Sequence, residues 1–103
     1  MVPRQDQDMK LIGKQSLRGF IEKHADARSQ IESWEAEAEG AEWGTPHELK
    51  RRYPKASIVN GQHVIFDICR NKYRLWVQIS YKNRIVLIKK VGTHNEYEKW
   101  TIG

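Results

Sequence analysis

The sequence is poor in cysteine and proline, with one Cys and three Pro in 103 residues. A lone Cys69 can close no internal disulfide, and it sits in a strand-like run, so a reduced, cytoplasmic setting is expected. No apolar run approaches the ~18–20 residues that span a bilayer, and Met1-Val2-Pro3-Arg4-Gln5-Asp6-Gln7-Asp8 carries no apolar signal region. Also missing are a glycine-rich phosphate loop, paired cysteines at zinc spacing, HExxH and GxSxG. Four scattered histidines (His24, His47, His63, His94) and one cysteine make no ligand set, so neither a metal nor a cofactor is expected. Nucleophilic catalysis by Cys69 is not expected either, because a strand cysteine behaves as a small core residue.

What the chain does have is charge, unevenly spread. Residues 1–48 hold ten acids and six bases, a balance of −4, whereas residues 49–103 hold three acids and twelve bases, a balance of +9. A folded half that basic suggests an anionic partner, although a solubilising surface would look the same. The acidic stretch Glu32-Ser33-Trp34-Glu35-Ala36-Glu37-Ala38-Glu39 would repel phosphates, so a nucleic-acid face should lie elsewhere. The length suits one domain with one core, read as residues 9–103 after a flexible leader over 1–8, with Met9 as an alternative start.

Periodicity places helices first and strands after. Leu17, Phe20, Ile21 and His24 fall at helical spacing, and a second helix follows with Asp26 as N-cap and Ala27, Ile31, Trp34 and Ala38 along one side. Thr45-Pro46-His47-Glu48 has the capping-box pattern with proline at the first helical position, and Pro54 stops the helix it starts. Asn60-Gly61 signals a hairpin between Ser57-Ile58-Val59 and the run from His63 to Cys69. Arg70-Asn71-Lys72 turns into Tyr73–Tyr81, and Lys82-Asn83 turns into Arg84–Val91. The fold class is α+β: a compact domain with its N-terminal helices on one face of a three- to four-stranded antiparallel sheet.

Along Tyr73–Tyr81 the odd positions are apolar and should face the helices, while Arg74, Trp76, Gln78 and Ser80 should look out. With Lys82-Asn83 as a two-residue loop, Val77 opposes Ile88, Trp76 opposes Lys89, Arg74 opposes Val91 and Tyr73 opposes Gly92. Arg74, Trp76, Gln78, Leu87 and Lys89 then share the open face, and Thr93-His94 emerges beside Lys72 and Tyr73. A one-residue slip would put Lys90 in place of Lys89.

That corner of the sheet holds equipment for binding, and for cutting, a phosphodiester. Metal-free RNA cleavage needs a base for the 2′-hydroxyl proton, cations for the pentacoordinate transition state and an acid for the departing 5′-oxygen. His94 suits either proton transfer, Arg74 offers a planar fork to phosphate oxygens, and Lys72 and Lys89 supply point charges. Tyr97, three residues after His94, would share its side of a helical turn. Each has a plainer reading. Thr93-His94-Asn95-Glu96 is also a helix start with a Thr93–Glu96 capping box, and Arg74 could pair with Asp67 on the adjoining strand. Trp76 either stacks a base or shields the sheet, Tyr73 belongs to the core, and Trp100 anchors the C-terminus. Arg51 and Arg52 suit electrostatic docking to RNA better than chemistry.

These segments resemble the HigB family of bacterial type II toxin–antitoxin systems, within the RelE-like superfamily. The resemblance lies in Phe66-Asp67-Ile68, Asn71-Lys72-Tyr73-Arg74-Leu75, Ile79-Ser80-Tyr81 and the stretch Ile88-Lys89-Lys90-Val91-Gly92-Thr93-His94-Asn95-Glu96-Tyr97-Glu98-Lys99. It covers residues 57–100 well and residues 10–54 as a comparable helical order, with Glu98 standing where the family often has Asp. It implies a RelE-like fold and a metal-independent mRNA endoribonuclease acting in the ribosomal A site. It also implies neutralisation by a HigA-like helix-turn-helix antitoxin, through which alone operator DNA would be bound. Arg74 and His94 are the first residues to which catalytic roles carry over, with Lys72 and Tyr97 next. The alternative is a non-catalytic RNA- or ribosome-binding module that blocks translation by occupancy.

Overall fold

The structure, a computed structural model, describes residues 9–102; the leader expected over 1–8 lies outside the described residues. The order is β1 (Lys10–Ile12), α1 (Lys14–Lys23), a short 3₁₀ turn (Ala25–Ala27), α2 (Arg28–Glu39), α3 (Pro46–Arg52), β2 (Ser57–Val59), β3 (His63–Ile68), β4 (Tyr73–Ser80), β5 (Ile85–Thr93) and α4 (His94–Tyr97). The helical spacings do what they promise: Leu17, Phe20 and Ile21 of α1, and Ile31, Trp34 and Ala38 of α2, are buried against the sheet. They meet Val64, Phe66 and Ile68 of β3, Tyr73, Leu75, Val77 and Ile79 of β4, and Val86 and Ile88 of β5. Each fully buried aliphatic side chain there contributes about 1.5–3 kcal/mol.

The sheet is five-stranded and mixed, in the order β1-β5-β4-β3-β2, which corrects the expected three- to four-stranded antiparallel sheet. The addition is β1, which runs parallel to β5 with Leu11 opposite Val86. Three residues are too few to show a period, and a parallel partner some seventy-five positions away leaves no local mark in the sequence. The antiparallel hairpins follow the turn signals. Asn60 and Gly61 take φ of 54° and 76° between Val59 and its partner His63, the left-handed conformation for which Asn-Gly is suited.

Three local expectations change. Asp26 does not cap α2: the N-cap is Ala27, with no side-chain bond, because the Asp26 carboxylate is engaged across the molecule. Cys69 is not in a strand but in the β3–β4 turn, where Cys69 and Arg70 both adopt positive φ (53° and 65°). Two successive non-glycine residues in that region cost roughly 1–2 kcal/mol each. The turn is held by the Cys69 amide, which donates to Gln30 Oε1 at 2.7 Å.

The third change concerns register. From Ser80 opposite Ile85 to Val77 opposite Ile88 the β4–β5 ladder runs as the two-residue loop predicts, but a bulge then intervenes. Trp76 opposes Lys90, Arg74 opposes Gly92 and Tyr73 opposes Thr93, leaving Lys89 as the extra residue. The slip weighed for Lys90 therefore occurs, halfway along the strand rather than at the turn. The outward face is also less open than alternation implies. Ile65 and Trp76 are 2% and 7% exposed, forming a small apolar patch with Trp100 and His63 nearby.

Candidate active site

The bulge decides what stands at the end of the sheet. By placing Gly92 opposite Arg74, it leaves room for the chain that follows β5 to fold back. A Cβ at position 92 would come within 2.9 Å of the Trp100 ring and 3.0 Å of Glu96 Oε1, so any larger residue would push Trp100 and the Glu96 carboxylate aside. Thr93 then starts α4 with both halves of the expected capping box. Glu96 N donates to Thr93 Oγ1 at 3.2 Å, and Thr93 N donates to Glu96 Oε1 at 2.8 Å. That bond from the Thr93 amide holds the Glu96 carboxyl below the usual carboxylate range. The His94 amide donates to the Lys72 carbonyl at 3.2 Å, tying α4 to the β3–β4 turn.

Arg74 is the most constrained cation of this corner. Its side chain is 12% exposed, with Nε 3.3 Å from Asp67 Oδ1 on the partner strand. Nη1 donates to the Asn71 carbonyl at 2.6 Å, and the guanidinium lies 5.1 Å from the centre of the Tyr97 ring. The cross-strand pair with Asp67 and the position at the sheet end therefore coexist. Tyr97 stands between Arg74 and His94, its ring 6.2 Å from the imidazole, as the three-residue spacing required. His94 is half exposed, with Nε2 3.7 Å from Glu98 Oε2.

Lys72 is not the free point charge that the sequence suggested. Its ammonium bonds Asp26 Oδ2 at 2.6 Å, while the Tyr73 hydroxyl donates to Asp26 Oδ1 at 2.7 Å. The lysine bond, followed by that of the tyrosine, pulls the Asp26 carboxyl below its usual value. The same carboxylate raises the pKa of Lys72 and of the Tyr73 hydroxyl. Tyr73 is a core residue as expected, with its hydroxyl at the rim. Asp26 thus organises the corner from 46 and 47 residues away, and its helix-capping residue type gave no hint of that role.

A shallow hollow is lined by His24, Asn71, Lys72, Tyr73, Thr93, His94 and Asn95; Arg74 and Tyr97 stand outside it. His24 lies outside the residues that the sequence assigns to the site. The available signal was its place at the end of the α1 apolar face, which turns it toward the sheet.

The expected RNA contacts are dispersed. The Lys89 ammonium lies 5.8 Å from the centre of the Trp76 ring, on the open side of the sheet. Trp76 itself is covered, its Nε1 donating to His63 Nδ1 at 3.1 Å, so the ring shields the sheet and stacking a base would require its neighbours to move. Gln78, toward the other end of β4, donates to Gln62 Oε1 at 3.4 Å. Arg51 is exposed on α3, and Arg52 pairs with Glu37 at 2.5 Å and lies over the Tyr53 ring. Arg52 lines a separate hollow with Trp34, Phe66 and Arg70. The acidic stretch of α2 is largely matched within the fold. Glu35 is buried and takes both Nη atoms of Arg18 at 2.7 and 2.8 Å, and Glu39 pairs with Lys14 at 2.9 Å.

The arrangement is thus a guanidinium braced by a carboxylate, a carbonyl and a phenol ring, with the His94 imidazole next to that phenol and a hollow holding His24 and the paired Lys72 ammonium on the Tyr73 side. It offers planar hydrogen-bond donors and proton carriers to an anion approaching the sheet end. No curated protein matches the chain. A family model described as HigB toxin, RelE-like toxic component of a toxin-antitoxin system, matches residues 27–100.

Proposed function

We propose that this chain, which belongs to the HigB family of RelE-like toxin components of toxin–antitoxin systems, is an mRNA endoribonuclease that cleaves in the ribosomal A site and so inhibits translation. The observation that carries the reading is the convergence of Arg74, Tyr97 and His94 at one end of the sheet. Arg74, held in place by Asp67 and Asn71, receives the non-bridging phosphate oxygens, where preorganised donors stabilise developing charge most. Tyr97 supports the guanidinium face, and His94 moves a proton. Lys72 adds its charge as it exchanges Asp26 for phosphate. The chemistry needs only the 2′-hydroxyl of the substrate, without a metal, and leaves 2′,3′-cyclic phosphate and 5′-hydroxyl ends. A HigA-like helix-turn-helix antitoxin neutralises the toxin in the cytoplasm and carries it to operator DNA.

Incubation with translating ribosomes, followed by mapping of mRNA ends, tests this directly. Intact mRNA beside arrested translation would remove the enzymatic claim. A second reading, occupancy without cleavage, draws on the pairing of both motif cations with carboxylates. It requires His94→Ala and Tyr97→Ala to retain full inhibition while charge reversal at Arg74 abolishes it.

A further inference from the structure

His24 closes α1, its amide bonded to the Phe20 carbonyl at 2.9 Å. Its ring is packed by its faces: it stacks on Phe20 with centroids 4.4 Å apart, and the Tyr73 ring stands 5.1 Å away. Neither ring nitrogen has a hydrogen-bond partner among the described residues. His24 is only partly buried, so its ring nitrogens stay open to solvent and to a ligand, which a leucine or phenylalanine filling the space between Phe20 and Tyr73 would not offer. What the position does offer is access. His24 lines the same hollow as His94, with Lys72, Asn71 and Asn95 between and around them. The charged groups that face it are Lys23 on its own helix, Asp26 after it, Lys72 from the β3–β4 turn, Lys90 from β5, and Glu96 with His94 from α4.

We propose that His24 is the second proton-transfer group of the site, sharing one ribose–phosphate linkage with His94; this rests on the ribonuclease reading above. Breaking the strand needs two proton transfers, and among common side chains imidazole is the one suited to both near neutral pH. One imidazole accepts the 2′-O–H proton as the 2′-oxygen bonds to phosphorus. The bond from phosphorus to the 5′-oxygen breaks, and the other imidazole donates a proton to that oxygen. One proton is taken and one given, so the cyclic phosphate and the 5′-hydroxyl balance, and exchange with water resets both rings. Two groups on different elements, α1 and α4, suit a linkage whose attacking and leaving oxygens lie on opposite sides of phosphorus.

The test uses the full chain, translating ribosomes and a synthetic mRNA carrying either oxygen or sulfur at the bridging 5′ position of the mapped cleavage site. A thiolate leaves without protonation, so sulfur rescues loss of the acid and not loss of the base. The variants are His94→Ala, His24→Ala and His24→Phe, the last keeping the ring contacts with Phe20 and Tyr73 and showing a wild-type melting curve. On the oxygen substrate each should lose about 10²–10⁴-fold in single-turnover rate. Sulfur should restore cleavage at one histidine position and not at the other, a pattern that a packing role would not produce. His24→Phe cleaving the oxygen substrate within about threefold of wild type would overturn the proposal, since a proton-transfer group is worth far more. So would rescue at neither position. Failure of the wild-type protein to cleave the oxygen substrate would instead strike at the ribonuclease reading beneath it.

Discussion

Two pairs of cations in the basic half of the chain contrast sharply. At the Tyr73 end of β4, Arg74 and Lys72 are each held by a carboxylate, Asp67 and Asp26, and the surrounding chain is pinned by turn and cap bonds. At the β5 bulge, Lys89 and Lys90 are exposed, with no carboxylate partner among the described residues. Both regions count equally toward the basic balance of the second half, yet they do different work. A braced guanidinium supplies little net field but is already oriented, which is what a transition state rewards. A free ammonium supplies field and attraction at a distance, with little orientation.

The contrast breaks most visibly at Arg74. Arg74→Ala should lower the single-turnover rate of mRNA cleavage by about 10²–10³-fold, the range for losing one preorganised donor. Arg74→Lys should recover little, because an ammonium lacks the planar fork. Equal losses from Arg74→Ala and Lys89→Ala would erase the distinction between the two regions.

Asp26→Asn probes the bracing itself. The Asp26 carboxyl is depressed in the folded protein, so its contribution to stability is present above the ordinary aspartate pKa of about 3.9 and is lost as pH falls through its lowered value. The pKa of Lys72 is raised, so its contribution is present below the ordinary lysine value of about 10.4 and is lost as pH climbs through the raised one. The difference in urea midpoint between wild type and Asp26→Asn should hold steady across the neutral range and shrink at both extremes. A difference that does not vary with pH would mean that the network is not electrostatic. The smallest effect belongs to Lys89→Ala, which should leave the cleavage step on bound ribosomes nearly unchanged. Its signature is in single-stranded RNA binding, where the slope of log affinity against log salt should fall by about 0.7. An unchanged slope would place Lys89 outside the RNA path.

Much of this was legible in the residues. The helix at Leu17, Phe20 and Ile21, the Asn60-Gly61 hairpin, the buried odd positions of β4 and the Thr93–Glu96 cap all follow from local rules, and the structure contains them. The cross-strand pair of Asp67 and Arg74 was readable because antiparallel neighbours follow from the turn. What escaped depends on distant partners. Strand β1 is too short to announce itself, and Asp26 looks the same capping a helix as bonding Lys72 and Tyr73. Trp76 alternates as a surface residue and is buried because Trp100 and His63 come to it. The turns were readable, whereas the register beyond the bulge and the wiring of the corner were not.

The bulge at Lys89 has one more consequence. A ladder without it would keep β5 in a single phase from end to end, and the same alternation that seats Val86 and Ile88 in the core would set Val91 opposite Arg74. One inserted residue lets the strand serve two clients with incompatible phases: the core on one half, the sheet-end corner on the other. Evolutionary change should therefore be lopsided along β5. Side chains before the bulge can be exchanged for others of similar bulk, whereas a deletion within it would swing Gly92, Thr93 and all that follows to the wrong side at once.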